Sequence, residues 1–558
     1  MSVSLGMSTR TLGSDRSAAR AAAVSGERER LRRDARRGKL RGWLTTLLVS
    51  IAMLVIWEVA ADLWLSDRGV IAAPSAIIES LISDSDLYWR NFTATAWIAV
   101  RGWFIGNVLA ILVAIVFVQF PAFESIFLRL ALTIFCLPLV AVNPILQLTF
   151  TPDTAKVTLA ALAVFFTTLV GTMLGLRSAD GGPLTMVTAW GGGSLSKLAL
   201  IRIPSGIPAI ITGLQIGAAA AALGAIFSEF IGAKTGLGVL LINGLMSLDL
   251  ARVWSVAVLV TALAAIPYAL LGALRRWVAP WSSTISTAPA QPRAPHSLLR
   301  RTVTGVVFTV ASLVVIVFAW WAYLKVFDLS PFVGKGPQDV YEFLSDSPEA
   351  ADNRSELIGA LGTTLLHAGV GYIAGLVIGV LMAVAFVTFP VVARVLTPLA
   401  VALRSVPIIV LIPLLILALG RDLPGVVAIT AIVTFFPTLA NTQTALGQVP
   451  ADAAVLMRSY DSSVWTSLWR LQLPYALPSL FASARIAAPT AILAATLAEW
   501  LATGDGLGHT IVSARAHSEY TQLWAAAAVL TVVSLIFYAI VTWAERAVLR
   551  RYAPAQLA

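Results

Sequence analysis

The chain has 558 residues, of which 58% are hydrophobic and only 12% charged, with mean hydropathy +0.85. Soluble domains carry about 25% charged residues, so an ordinary soluble enzyme is excluded and a membrane protein is indicated. The net charge of +10 sits in the N-terminal tail, in short loops and after the last apolar run. Membrane topology accounts for that distribution, and nucleic-acid binding is not expected.

In chain order, residues 1–42 form a basic tail ("RERLRRDARRGKLR") that reads as cytoplasmic and disordered, with binding to the membrane surface as the alternative. The apolar stretch 43–65 is too long for a signal peptide and lacks a small-residue cleavage site, so it reads as an uncleaved first span. Further spans are expected at 95–118, 126–149, 156–176, 206–228 and 252–275. The segment 279–301, rich in Pro, Ser and Ala, reads as a cytoplasmic linker. A second set follows at 303–325, 361–387, 392–419, 424–446, 476–500 and 522–545, before a tail at 551–558. The expectation is an all-α integral membrane protein of about 12 transmembrane helices. They fall into two six-helix repeats, 43–278 (core 95–275) and 302–550 (core 361–547). Short helical stretches at 73–82 and 336–345 follow the first span of each repeat.

The repeats align. At an offset of 270, "FFTTL" (165–169) falls on "FFPTL" (435–439) and Trp254 on Trp524; 203–238 matches 473–508 at 11 of 36 positions. Upstream the offset is 269, so Pro138 and Pro144 meet Pro407 and Pro413. An even number of spans returns the chain to the same side, which makes this a parallel tandem duplication. With the N-terminus inside, the loops 176–208 and 446–478, the linker and the C-terminus are cytoplasmic.

The fifth span of each repeat ends in the same signature, "EFIGAKTGLG" (229–238) and "EWLATGDGLG" (499–508). Glu229, Gly236 and Gly238 thereby match Glu499, Gly506 and Gly508. The glycines allow a tight turn. A carboxylate at a helix C-terminus is unfavourable by roughly 0.3–1 kcal/mol, so both glutamates are expected to have donors. The set is assigned to an outer gate and a seat for an external partner, with a purely structural turn as the alternative.

Each loop places a small amphipathic helix before a Pro-x-x-x-Pro helix start at Pro204 or Pro474. Leu195, Leu198 and Ala199 match Trp465, Leu468 and Trp469 as an i, i+3, i+4 apolar stripe. These loops are far longer than a connection requires, which suggests docking of a cytoplasmic partner; the alternative is a helix lying on the membrane surface. Where Pro interrupts each third span, Pro138, Asn143 and Gln147, and Arg404, Ser405 and Pro407, are candidate pathway groups. Arg485 joins them. Packing against neighbouring helices is the alternative, and cavity-facing arginines would favour an anion.

The spacing from Gly191 to Pro204 resembles the EAA loop of ABC-importer permeases. The run on to Glu229 and "GLG", with "LRSVPIIVLIPLLILALG" (403–420) and "FFPTLANT" (435–442), is similar to the branch importing nitrate, sulfonate, taurine and pyrimidine precursors. The chain departs from that pattern: Thr185, Met186 and Val187, and Val455, Leu456 and Met457, stand where Glu-Ala-Ala is expected. Asp461 stands where the second loop's glycine is expected. The resemblance implies a type I importer permease fold in the bacterial inner membrane, with one fused chain in place of a permease dimer. It implies two copies of a cytoplasmic ABC ATPase, which would carry ATP and Mg, and an extracytoplasmic substrate-binding protein. Trp190, Gly191, Leu195, Lys197, Leu198 and Pro204, with Tyr460, Asp461, Trp465, Leu468, Trp469 and Pro474, would transmit nucleotide-driven closure to the membrane.

No phosphate loop is present. "GAKTG" (232–236) lacks the glycine before Lys234. The single cysteine, Cys136, allows no intrachain disulfide, and His296, His367, His509 and His517 show no zinc-ligand spacing. No metal, cofactor or catalytic residue is expected in the chain itself. An ion-coupled carrier of two six-helix halves would need buried ionisable relays, and a membrane scaffold would not transport at all. Both are kept as alternatives.

Overall fold

The computed structural model describes residues 51–52, 54–59, 61, 72–179, 181–280, 298–389, 391–393, 396–397 and 408–552. The described positions before residue 65 are helical. From residue 72 the first half runs α1 Pro74–Ser83, α2 Ser85–Gln119, α3 Pro121–Cys136, α4 Leu139–Thr149, α5 Pro152–Arg177, α6 Gly181–Ala189, a short α7 Ser194–Lys197, α8 Ile203–Glu229, α9 Leu237–Met246 and α10 Leu250–Val278. The second half runs α11 Leu298–Val326, α12 Pro337–Ser345, α13 Ala350–Thr388, α14 Ile408–Leu419, α15 Leu423–Gly447, α16 Ala451–Ser459, a short α17 Val464–Ser467, α18 Leu473–Ala498, α19 Gly506–Ala516 and α20 Tyr520–Tyr552. The protein is an all-α integral membrane protein, and the described residues contain no strand.

Eight of these helices are long and apolar enough to cross a membrane, or nine when the bent α3–α4 pair counts as one span. The expected spans 43–65 and 392–419 fall wholly or partly outside the described residues. Prolines start α1, α3, α5, α12 and α15, where the missing N–H has no helical acceptor to lose. Pro138 ends the straight run of the third span, and α4 leaves α3 at 98°.

The duplication extends to helix crossings. Gly106 of α2 lies against the backbone of Ala161 in α5, and its counterpart Gly375 of α13 lies against the backbone of Ala431 in α15. In each case a side chain would force the helices apart, so the close crossing depends on glycine. The third span of the first half also packs on α11: Ser312 Oγ donates to the Ile126 carbonyl at 3.3 Å, and Phe150 meets Phe327 edge-on at 4.8 Å.

The glutamates lie at one end of the bundle, the turn end; α6, α7, α16 and α17 lie at the other, the loop end. The main apolar core joins the halves near the turn end, bringing Phe227, Leu237 and Leu241 together with Ile492, Leu497 and Leu507. The clusters around Leu198 and around Leu468 each draw on one half. The buried apolar cluster shared by the two halves therefore lies towards the turn end.

Candidate functional site

At the turn end the two glutamates find their donors. Glu229, the last residue of α8, is fully buried; its Oε1 accepts from Thr95 Oγ1 of α2 at 2.7 Å, and its Oε2 from the Gly238 N–H at 2.8 Å. Thr95 Oγ1 in turn accepts the Leu237 N–H at 2.8 Å, and Asn91 Oδ1 accepts the Gly236 N–H at 2.7 Å. The second half repeats the device: Glu499 Oε2 accepts from Thr364 Oγ1 at 2.9 Å and from the Gly508 N–H at 3.0 Å, while Thr364 Oγ1 accepts the Leu507 N–H at 2.9 Å.

The electrostatic cost of ending α8 on an acid is offset because each carboxylate faces the first turn of the next helix. There the unpaired N–H groups and the positive end of the dipole favour an anion. The glycines are required by geometry: Gly236 has φ 137° and Gly506 φ 83°, and a Cβ at either would collide with the glutamate carboxylate. Gly506→Ala is expected to cost about 2–4 kcal/mol through left-handed strain and that collision, and to lower the thermal midpoint of the detergent-solubilised protein. Gly504→Asn, at φ 75° with open space around the new Cβ, should leave the midpoint near wild type, because Asn tolerates this region.

The halves differ in one partner. His367 Nδ1 lies 3.0 Å from Glu499 Oε1, both side chains buried, whereas the first half has Ile98 at the aligned position. No sequence motif points to Thr95, Thr364, Asn91 or His367 as partners of these acids. The 269 offset does superpose Thr95 on Thr364, but nothing in one sequence marks an ordinary threonine as the partner of an acid.

At the loop end the matched segments have matched geometry. A wide π turn, Leu198–Arg202 or Leu468–Gln472, joins the short helix to the long one, giving continuous helices Ser194–Glu229 and Val464–Thr503. This corrects the expected apolar stripe. Leu198 and Leu468 are only 7% and 1% exposed and anchor each segment to its own half, while Leu195 is 75%, Trp465 54% and Trp469 66% exposed. An i, i+3, i+4 stripe presumes α geometry, and a π turn rotates the following residues out of register. Trp190 and Tyr460 are exposed, as are Met186, Val455 and Leu456 where Glu-Ala-Ala was expected. Lys197 ends α7, and Pro204 and Pro474 follow the π turns inside the continuous helices instead of starting them, because the wider turn accommodates a residue without an N–H.

Asp461 does not break the loop. Gly191 (φ 76°) and Asp461 (φ 48°) both take the left-handed conformation that ends α6 and α16. Each is flanked by the same pair of bonds: Gly192 N–H to the Val187 carbonyl and Gly191 N–H to Thr188, Ser462 N–H to Met457 and Asp461 N–H to Arg458. This is a Schellman cap, which aspartate tolerates better than most residues.

The described members of the expected pathway set have partners within the protein. Asn143 Nδ2 donates to the Phe227 carbonyl at 3.2 Å, and Gln147 Nε2 to the Ile231 carbonyl at 2.6 Å, so both tie α4 to the end of α8. Pro138 is the N-cap of α4. Arg485 pairs with Glu545 of α20 at 2.8 Å and is not an uncompensated cation. Arg404, Ser405 and Pro407 lie outside the described residues. Among the described residues no cluster of His, Cys, Asp or Glu could hold a metal.

A family model described as "Binding-protein-dependent transport system inner membrane component" matches residues 106–283 and again 375–553, more than half of the chain. A probable ABC transporter permease protein of Haemophilus influenzae is 27% identical over 180 residues, 32% of this chain and 74% of the relative. A formylaminopyrimidine transport permease protein of Halalkalibacterium halodurans is 32% identical over 149 residues, 27% of this chain and 60% of the relative. A putative aliphatic sulfonates transport permease protein of Escherichia coli is 25% identical over 242 residues, 42% of this chain and 89% of the relative.

Proposed function

Because the chain belongs to the family of binding-protein-dependent transport system inner membrane components, with the family unit present twice, we propose that its two halves form one complete import pathway. Two copies of a cytoplasmic ABC ATPase, carrying ATP and Mg, dock beneath, and an extracytoplasmic binding protein delivers a small polar or anionic solute above. The relatives named for formylaminopyrimidine and aliphatic sulfonates support that solute class. On this reading the loop end and both termini are cytoplasmic, the turn end faces outward, and the membrane is the bacterial inner membrane. The chain transports and catalyses no covalent reaction.

One observation carries the reading. In each half a single continuous helix, 36 or 40 residues long, begins in an exposed apolar loop segment and ends at a buried glutamate turn. At 1.5 Å per residue such helices reach about 54–60 Å. Each is therefore long enough to connect a partner outside the membrane on one side with a closure on the other. The residues exposed at its loop end are large and apolar, as a docking surface requires.

The direct test is purification of the full chain from its native host under mild conditions. Two ATPase subunits per chain, hydrolysing ATP, are expected. A chain that purifies without an ATPase would overturn the reading. The buried His367–Glu499 pair favours a second reading, an ion-coupled carrier. That reading predicts uptake abolished by a protonophore and indifferent to ATP; the first half, with Ile98 opposite His367, lacks a matching pair.

A further inference from the structure

The residue after each repeated glutamate is aromatic, Phe230 in the first half and Trp500 in the second. Being repeat-related, the two occupy equivalent places about the pseudo-two-fold relation of the halves. They also touch: the rings lie 5.6 Å apart at 54°, and Trp500 stands edge-on to Phe227 at 5.4 Å and 81°. Both are partly buried. The backbone that carries Trp500 is a π turn, Glu499–Thr503, whereas in the first half the helix ends at Glu229. Single π turns recur at functional sites, where the wider hydrogen-bond ladder leaves the helix easier to rearrange.

A second link spans the halves beside the first. Arg515 of α19 donates from Nη1 to the Pro144 carbonyl at 3.1 Å and from Nη2 to Gln147 Oε1 at 3.3 Å, both on α4. Through Gln147 and Asn143, α4 holds the carbonyls of Ile231 and Phe227, which bracket Phe230. Among the described residues no carboxylate pairs with Arg515. The link occurs once. The residues aligned with Arg515, Asn143 and Gln147 are Leu245, Ile412 and Ile416, none of which can form it. One side of the junction is thus tied by polar bonds that the aligned residues on the other side cannot make.

We propose that Phe227, Phe230 and Trp500 close the pathway at the turn end, and that Arg515 is a one-sided latch holding this aromatic gate shut. The inference rests on the importer reading. A guanidinium held by neutral acceptors suits a latch that must release, because it can exchange them for water more cheaply than it could leave a carboxylate. The aromatic rings supply a closure without directional bonds that would have to be broken and remade one by one.

The test uses the assembly of the chain with its co-purified ATPase in proteoliposomes. Cys136→Ser first removes the single native cysteine, which is buried. In that background Phe230→Cys with Trp500→Cys is treated with a short, reducible bis-thiol reagent. Cross-linking is expected without nucleotide, with the yield falling about tenfold when ATP and vanadate trap the ATPase closed. The cross-link should abolish ATP hydrolysis, and reduction should restore it. Arg515→Leu is expected to raise hydrolysis in the absence of solute about tenfold, with Arg515→Lys intermediate. A cross-link yield indifferent to nucleotide, or full hydrolysis by cross-linked protein, overturns the gate. Wild-type hydrolysis and wild-type cross-linking in Arg515→Leu overturn the latch. Failure of any ATPase to co-purify is a different result and strikes the importer reading instead.

Discussion

Trp465→Ala with Trp469→Ala is expected to detach the ATPase from the second loop while leaving the permease folded. Both indoles are more than half exposed, so truncation removes little that the fold depends on. Leu468 between them is buried and keeps the segment on its own half. Aromatic anchors dominate interface energies, each worth about 2 kcal/mol or more when truncated, or about 30-fold in affinity. The matching change in the first loop is Leu195→Ala alone, because Ala199 already stands opposite Trp469. That change should cost about 1 kcal/mol, or roughly fivefold. On the importer reading the two loops are therefore expected to dock unequally. Titration of ATPase onto detergent-solubilised variants measures both losses, and equal losses at the two loops would refute the inequality. Leu468→Ala serves as the contrast: it should lower the thermal midpoint, since it opens a cavity in the core beneath the loop.

Duplication made much of this legible from the residues alone. Two copies of an acid followed by Gly-Leu-Gly at a fixed offset point to a device used twice, and prolines at matched positions located the helix starts and the broken third span. What escaped was whatever depends on geometry that sequence periodicity does not encode. The apolar stripe through Leu195, Leu198 and Ala199 follows α spacing, but the segment contains a π turn, and its residues separate into one anchor and an exposed remainder. Asn143 and Gln147 stand out as polar groups in an apolar span, which suggested a pathway. Yet the carbonyls at the end of α8 need partners wherever helices break, and these two amides supply them. The departures between the halves were the least readable. His367 and Arg515 have no equivalent in the first half, so the alignment that exposed everything else passes over them.

The glutamate turns themselves should be the most sensitive points in the fold. Glu499→Ala strands the Gly508 N–H and His367 in a buried site, while the Thr364 hydroxyl keeps the Ala360 carbonyl at 3.1 Å; removing one member of a buried set costs about 3–5 kcal/mol. Glu229→Ala strands the Gly238 N–H, the Thr95 hydroxyl falling back on the Asn91 carbonyl, and with no histidine involved should cost less, about 1–3 kcal/mol. Glutamine separates charge from hydrogen bonding. In Glu499→Gln the amide oxygen can accept from Thr364 and Gly508, and the amide nitrogen can donate to His367 Nδ1 in the tautomer that carries the ring proton on Nε2. In Glu229→Gln the amide oxygen keeps the Gly238 bond, and the Thr95 hydroxyl can turn to the Asn91 carbonyl at 3.1 Å. Both glutamine variants are therefore expected to retain most of the thermal midpoint that the alanine variants lose. If glutamine is as damaging as alanine in thermal melts, the negative charge facing the helix N-terminus holds the turn, and the hydrogen bonds are secondary. If glutamine restores the melt but ATP-driven transport stays impaired, the carboxylates serve the moving gate rather than the resting fold. Normal transport and normal binding-protein docking in the double glutamine variant would instead leave the two turns a purely structural role.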